Sequence, residues 1–249
     1  VFAGKLPEQV TAEQQDAMVQ SALESVRTGK SADASVMLFN LDNKMNAAIL
    51  PGKSGIIDGV IALGDKEGRA VCYRGLRIDF EGLSVAAWPA GVPIVSQNVA
   101  QSADGATFSY VLQKDGAELP LEISVRPEGE SLKIETKCDD LMMGTSLGPA
   151  DRKADRVYFG HGYCIVDPEP FTYRGGGHSL STSHVGYDFE GGLSVLQHTS
   201  TPPDMITVNP TQNLYTLNVH PQTTFTLLPG VKGAFDCALR FRGQIYATA

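Results

Sequence analysis

The stretch Gly59–Gly82, GVIALGDKEGRAVCYRGLRIDFEG, decides the fold. Its apolar runs, GVIAL and AVCYRGLRIDF, are rich in β-branched and aromatic residues and are closed by DKEG and EG. Acidic-glycine pairs of this kind supply the positive φ angles that hairpin turns and bulges require. The same grammar continues down the chain: FSYVLQ then KDG, ISVRP then EGE, then LKIETKC. Apolar and polar residues alternate most clearly in FSYVLQ and LKIETKC, the period of a half-buried strand. From Asp58 onward about fourteen such runs can be counted. So many strands with a single helix predict an all-β protein, a large antiparallel β-sandwich whose two inner faces bury each other. At 249 residues the chain can bury a sizeable core without disulfide staples.

The helix is read in PEQVTAEQQDAMVQSALESVRTGK, residues 7–30. Thr11 and Gln14 have the spacing of a capping box, and Gly29 supplies the stop. Met18, Ala22, Leu23 and Val26 form the stripe that would lie on the rest of the protein. This divides the chain into an N-terminal helical segment, residues 1–34, and a β-domain, residues 35–249. IDFEGLSVAAWP, starting at Ile78, is echoed by YDFEGGLSVLQHT, starting at Tyr187, each reading as strand, acidic-glycine turn, strand. The echo suits a sandwich with two related halves, joined through residues 139–156.

A formal net charge of −8 without clustered Lys and Arg argues against nucleic acid as a partner, because phosphate binding needs concentrated positive charge. No apolar run is long enough for a helical membrane span. The first residues, VFAGKLPEQV, do not read as a signal peptide; a periplasmic or secreted location is expected if a leader has been removed. Cys72, Cys138, Cys164 and Cys237 are widely spaced and form no CxxC pair. Buried free thiols are expected of them, with one or two disulfides as the alternative in an exported protein.

Chemistry-bearing side chains concentrate in Tyr158–Gly192, YFGHGYCIVDPEPFTYRGGGHSLSTSHVGYDFEGG, which holds three of the five histidines. Sugar recognition calls for aromatic faces against pyranose rings and for Arg, Asp and His on the hydroxyls. Tyr158, His161, Tyr163, Tyr173, Arg174, His178, His184 and Asp188, with Trp88 from SVAAWPAG, have the appropriate types, although the same types also fill β-protein cores. Thr182, His184 and Asp188 would share one side of a strand. The gaps between His161, His178 and His184 fit no standard zinc pattern, so neither a metal nor a cofactor is expected. The glycine triplet in YRGGGHS lets backbone approach a ligand or forms a bulged turn, but it lacks the Lys and following helix of a phosphate loop. Among Asp167, Glu169, Asp188, Glu190 and Asp204 no pair stands out for glycoside hydrolysis. GTSLG, Gly144–Gly148, matches a nucleophile elbow with Ser146 at its centre, in a context that reads as a linker rather than strand-turn-helix.

The pattern from GIIDGVIALGDKEGRAVCYRGLRIDFEGLSV through DRVYFGHGYCIVDPEPFTYRGGGHSLSTSHVGYDFEGGLSVLQHTSTPPD to TFTLLPG resembles the β-supersandwich domains of the galactose-mutarotase-like class, over about residues 35–242. The resemblance implies a domain of the kind that commonly precedes the catalytic domain of multidomain glycoside hydrolases. For an active mutarotase it would imply a general-acid His on a strand and a general-base Glu late in the chain. FGHGY is similar to the histidine segment and would place His161 as the acid. The late Glu is missing: beyond Glu190 the only acidic residues are Asp204 and Asp236. The expectation is therefore a non-catalytic, carbohydrate-associated module with a catalytic domain of the same native chain as partner. The alternative is a sugar epimerase or a polysaccharide lyase-like enzyme using His161, with His184 and Asp188 as further catalytic candidates. A third possibility is a structural or assembly domain that binds no sugar.

Overall fold

The computed structural model describes residues 10–80, 94–114, 116–140, 143–159, 163–174, 184–201, 203, 205–218 and 222–235. The chain begins with helix α1 (Ala12–Thr28), followed by β1 (Met37–Asn40), β2 (Asn46–Gly52), β3 (Gly55–Gly64), β4 (Ala70–Tyr73) and β5 (Leu76–Phe80). Next come β6 (Ile94–Ser102), β7 (Gly105–Lys114), β8 (Ala117–Glu128), β9 (Ser131–Cys138), β10 (Met143–Leu147), β11 (Ala154–Phe159) and β12 (Tyr163–Val166). The described chain ends with β13 (Phe171–Arg174), β14 (His184–Phe189), β15 (Leu193–Thr199), β16 (Met205–Asn209), β17 (Leu214–Asn218) and β18 (Thr224–Val231). The protein is all-β apart from α1, and among the described residues every named strand pairing is antiparallel.

Four sheets result. The largest has nine strands in the order β12-β11-β14-β15-β18-β9-β8-β7-β6; the others are β1-β2-β3-β4, β13-β16-β17 and the pair β10-β5. One face of the nine-stranded sheet, including Val157, Tyr187, Val195, Leu227, Ile134, Ile123 and Phe108, meets Ile49, Ile61, Leu63 and Tyr73 of the four-stranded sheet in one hydrophobic core. Tyr187, Phe189 and Tyr215 stack edge-on or tilted within it, with ring centroids 5.5–6.2 Å apart. The opposite face of the large sheet is mostly polar.

Helix α1 carries the expected capping box between Thr11 and Gln14, and Gly29 caps its end in the left-handed conformation at φ 66°. Val19, Ala22, Leu23 and Val26 pack on Ala48, Leu50, Val60, Ala62 and Cys72. That packing explains the strands the sequence pattern did not yield. β2 and β3 are sandwiched between helix and core, so both faces are buried and the sequence is apolar without alternation. β1 and β2 thus lie upstream of Asp58, and from Asp58 onward sixteen strands, β3 to β18, stand among the described residues where about fourteen were counted.

Two further expectations are corrected. AVCYRGLRIDF is two strands: β4 ends at Tyr73, and Gly75, at φ 74°, lets the chain leave the four-stranded sheet and begin β5 beside β10. The 139–156 stretch is no plain connection, because it contains β10, whose Ser146 pairs with Arg77 and is buried. Ser146 thus sits inside a strand with no helix after it among the described residues, and the nucleophile-elbow geometry is absent there. Cys72 and Cys138 are buried free thiols and Cys164 is an exposed one; Cys237 lies outside the described residues.

Candidate functional site

Strands β11 and β14 put three of the sequence-derived candidates on one face of the sheet and bring two of them, Tyr158 and Asp188, into contact. Tyr158, His184 and Asp188 all lie on the polar face of the nine-stranded sheet, because the intervening Val157, Val185 and Tyr187 face the core. Asp188 is 0% exposed. Its Oδ2 accepts a 2.5 Å hydrogen bond from the Tyr158 hydroxyl, and its Oδ1 accepts from the Ser194 hydroxyl and, at 3.1 Å, from the Gly233 amide. Gly233 also donates to Ser194 Oγ at 3.1 Å. This carboxylate therefore ties β11, β14, β15 and the turn after β18 into one unit. Burial, then the bond to Asp188, pushes the Tyr158 hydroxyl well above its usual pKa, while a hydrogen bond from exposed Arg156 opposes the rise. The phenol stays protonated and acts as a donor.

A second arrangement crosses the same face. Cross-strand register aligns His184 of β14 with His198 of β15, His198 with Thr226 of β18, Thr226 with Lys133 of β9, and Lys133 with Arg126 of β8. His184 and Thr226 are buried, His198 and Lys133 are half-buried and Arg126 is exposed, so the row opens progressively to solvent. Arg126 grips Glu135 through both guanidinium nitrogens, at 3.0 and 2.8 Å, and Lys133 pairs with Glu128. Two residues along each strand, roughly 7 Å away, Thr224 and Glu135 help line a cleft of about 530 Å³. Its other walls are Thr136, Lys137, Cys138, Asp139, Gln222 and Thr223. Sequence reasoning missed this row and cleft. Only the alternation in LSVLQHT and LKIETKC, read for the polar face rather than the buried one, would have pointed to them.

The remaining candidates fall elsewhere. Tyr163 stands on β12 opposite Phe159, and Arg174 and Tyr173 are on β13, in the three-stranded sheet, opposite Met205 and Ile206. Trp88, His161 and His178 lie outside the described residues, as do Thr182 and Asp204. Among the described residues no group of His, Cys, Asp and Glu is placed to hold a metal ion, and no helix is long and apolar enough to cross a membrane.

Burial, and secondarily Lys133, holds the His198 ring below its usual pKa of 6.5. The unfolded chain therefore takes up this proton first as pH falls. The stability His198 contributes is complete above about pH 6.5 and is lost as pH drops through that value towards the lower folded one. A His198→Gln variant is expected to lose less stability than the parent between pH 7.5 and 5.5, about the ordinary histidine range, by urea unfolding. An equal loss in both would remove His198 from this role.

No protein-family model matches the sequence, and no curated protein matches it. Among solved structures, the chain is similar to a quadruple mutant of the α-N-acetylgalactosaminidase NagBb from Bifidobacterium bifidum, at 13% identity over 85% of this chain, with a TM-score of 0.52. This chain spans 38% of the length of that one. A putative aldose 1-epimerase from Escherichia coli K12 aligns at 9% identity over 79% of this chain and 99% of its own, with a TM-score of 0.39. The GH36 α-galactosidase AgaA from Geobacillus stearothermophilus, as its A355E variant, aligns at 8% identity over 80% of this chain and 41% of its own, also at 0.39. With its large antiparallel sheets and single described helix, the chain is an all-β sandwich, a fold it shares with the α-N-acetylgalactosaminidase structure at a TM-score of 0.52.

Proposed function

We propose that this chain is a carbohydrate-associated, non-catalytic module of a larger glycoside- or polysaccharide-processing protein, and that it meets glycans on the polar face of its nine-stranded sheet. The observation that carries the proposal is the cleft beside the His198–Thr226–Lys133 row, where Glu135, Lys137, Asp139, Gln222 and Thr224 present charged ends, an amide and a hydroxyl together. Such a set donates to and accepts from neighbouring sugar hydroxyls at once. The sandwich fold shared with a glycosidase of which this chain spans 38% supports a role inside a longer carbohydrate-active protein. The lack of any Glu after Glu190 supports a binding rather than an epimerising role. In this reading Tyr158 and Asp188 stiffen the same sheet to one side of the site, while helix α1 braces the four-stranded layer.

Lys137 and Asp139 are exposed, so Lys137→Ala combined with Asp139→Ala should leave folding intact. On a glycan array the parent protein is expected to retain one class of glycan, and the double variant to bind it about tenfold or more weakly. Binding unchanged by the double substitution would reject the cleft. Catalytic exchange of free sugar anomers, seen by NMR, would reject the non-catalytic assignment.

A further inference from the structure

The cleft at the end of β9 carries a strained residue on its wall. Gln222 is at φ 64°, in the left-handed region that residues other than glycine seldom adopt. Its backbone amide holds it there by donating to the Thr136 carbonyl of β9 at 2.5 Å. The chain that follows is fixed as firmly. Ser200 N–H donates to Thr224 O at 3.0 Å, Thr224 N–H donates to Ser200 Oγ at 3.1 Å, and the Thr201 and Thr223 hydroxyls are hydrogen-bonded at 3.1 Å. Residues kept in a sparsely populated conformation by surroundings that over-determine it cluster at ligand sites. Gln222 is exposed, and its side-chain amide is left to whatever enters the cleft.

Charge narrows what can enter. The cations around the cleft are already paired: Arg126 with Glu135 at 2.8 Å, Lys133 with Glu128 at 2.5 Å and Lys137 with Glu122 at 3.5 Å. Asp139, exposed on the same wall, has no cation within ion-pair distance among the described residues. The uncompensated charge of the described lining is therefore negative, in a chain of net charge −8. We infer that the cleft takes an uncharged glycan and excludes uronates and sulfated sugars, with the Gln222 amide as the group that reads the sugar. The inference rests on the glycan-binding reading above and names its substrate class. A neutral pyranose can donate a hydroxyl to Asp139 and exchange both kinds of hydrogen bond with the Gln222 amide, which offers two donors and an acceptor. A carboxylate or sulfate would face Asp139 and would have to break an existing ion pair to find a cation. Backbone already fixed in place lowers the ordering cost of the contact.

The test is calorimetric titration of the whole chain with matched tetrasaccharides: β-1,4-linked glucose against β-1,4-linked glucuronate, and α-1,4-linked galactose against α-1,4-linked galacturonate. At about 20 mM salt the neutral member of at least one pair is expected to bind roughly tenfold tighter than its uronate, and the gap should narrow at about 300 mM as the repulsion is screened. Asp139→Asn should narrow it at low salt. Gln222→Gly should weaken neutral binding about tenfold while the urea midpoint holds or rises, because glycine relieves the left-handed backbone. Gln222→Asn keeps an amide in a residue that tolerates this conformation, and should retain part of the affinity. A uronate that binds as tightly as its neutral partner would overturn the inference and leave glycan binding standing. Silence from all four sugars would also overturn it, and with an empty glycan array the glycan-binding reading would fall as well. Parent-like affinity in Gln222→Gly, or a lower midpoint in that variant, would remove Gln222 from this role.

Discussion

Gly75→Ala is expected to remove roughly 3 to 5 kcal/mol of stability, enough to unfold a large share of a marginal protein. Gly75 is at φ 74°, and a Cβ there would lie 2.2 Å from the Ile57 carbonyl oxygen. The left-handed backbone alone costs an L-residue about 1 to 2 kcal/mol. The rest comes from the clash, which no flexible side chain can relieve because the obstacle is backbone. The position is also a junction. Arg74 N–H donates to Pro149 O, and Gly148 N–H donates to Gly75 O, both at 2.8 Å, so the switch from β4 to β5 is coupled to the exit from β10. The control is Gly68→Ala, at φ 90° with open space around the new Cβ. It should cost only the backbone strain of about 1 to 2 kcal/mol. Chemical denaturation that shows the two variants equally stable would remove the sheet-switching role assigned to Gly75.

Asp188→Ala should cost about 3 to 5 kcal/mol, because it leaves the Tyr158 hydroxyl, the Ser194 hydroxyl and the Gly233 amide without their common acceptor. Asp188→Asn keeps the shape but loses the charge and an acceptor site, so about half that loss is expected. Combined with Tyr158→Phe, Asp188→Asn should show a coupling of about 1 to 2 kcal/mol in a double-mutant cycle. This separates bracing from ligand contact. If Asp188→Asn abolished glycan retention while unfolding at the parent's denaturant midpoint, the residue would belong to the binding surface and not to the scaffold.

The fold was legible where one face of a strand met water. β7, β8 and β9 alternate, their turns carry glycine, and the runs FSYVLQ and LKIETKC fall inside strands β7 and β9. The helix was legible to its ends because Thr11, Gln14 and Gly29 perform local chemistry that needs no tertiary context. β1 and β2 were not legible. β1 alternates in burial but is only four residues long, too short to set a period, while β2 lies between the helix and the core with no polar side to report, so its run NAAIL does not reveal by periodicity which element it forms. The division of AVCYRGLRIDF depends on the Ile57 carbonyl beside Gly75, some eighteen residues away in sequence and invisible to local pattern.

The candidate site was legible in part for the same reason. The alternation in HVGYDF correctly put His184 and Asp188 on one side of β14, and Tyr158 joins Asp188 across the ladder. That His198, Thr226 and Lys133 continue the row follows from strand order β14-β15-β18-β9, which pairs His198 with Thr226, 28 positions on, and Thr226 with Lys133, 93 positions back in sequence. Lys137 and Gln222, which share the cleft, are likewise distant in sequence and unremarkable in type. Composition drew attention to the glycine- and histidine-rich stretch; topology, which composition does not encode, placed the cleft at the end of β9.

The most direct measurement is an NMR titration of the isotopically labelled protein with the oligosaccharide class retained on the array, following backbone amides of the nine-stranded sheet. Glycan recognition on the polar face requires saturable shifts that cluster at Lys133, Glu135, Lys137, Gln222, Thr224 and Thr226 and vanish in the Lys137→Ala, Asp139→Ala protein. Shifts confined to the three-stranded sheet or to the helix, or none with any member of the glycan panel, would contradict it.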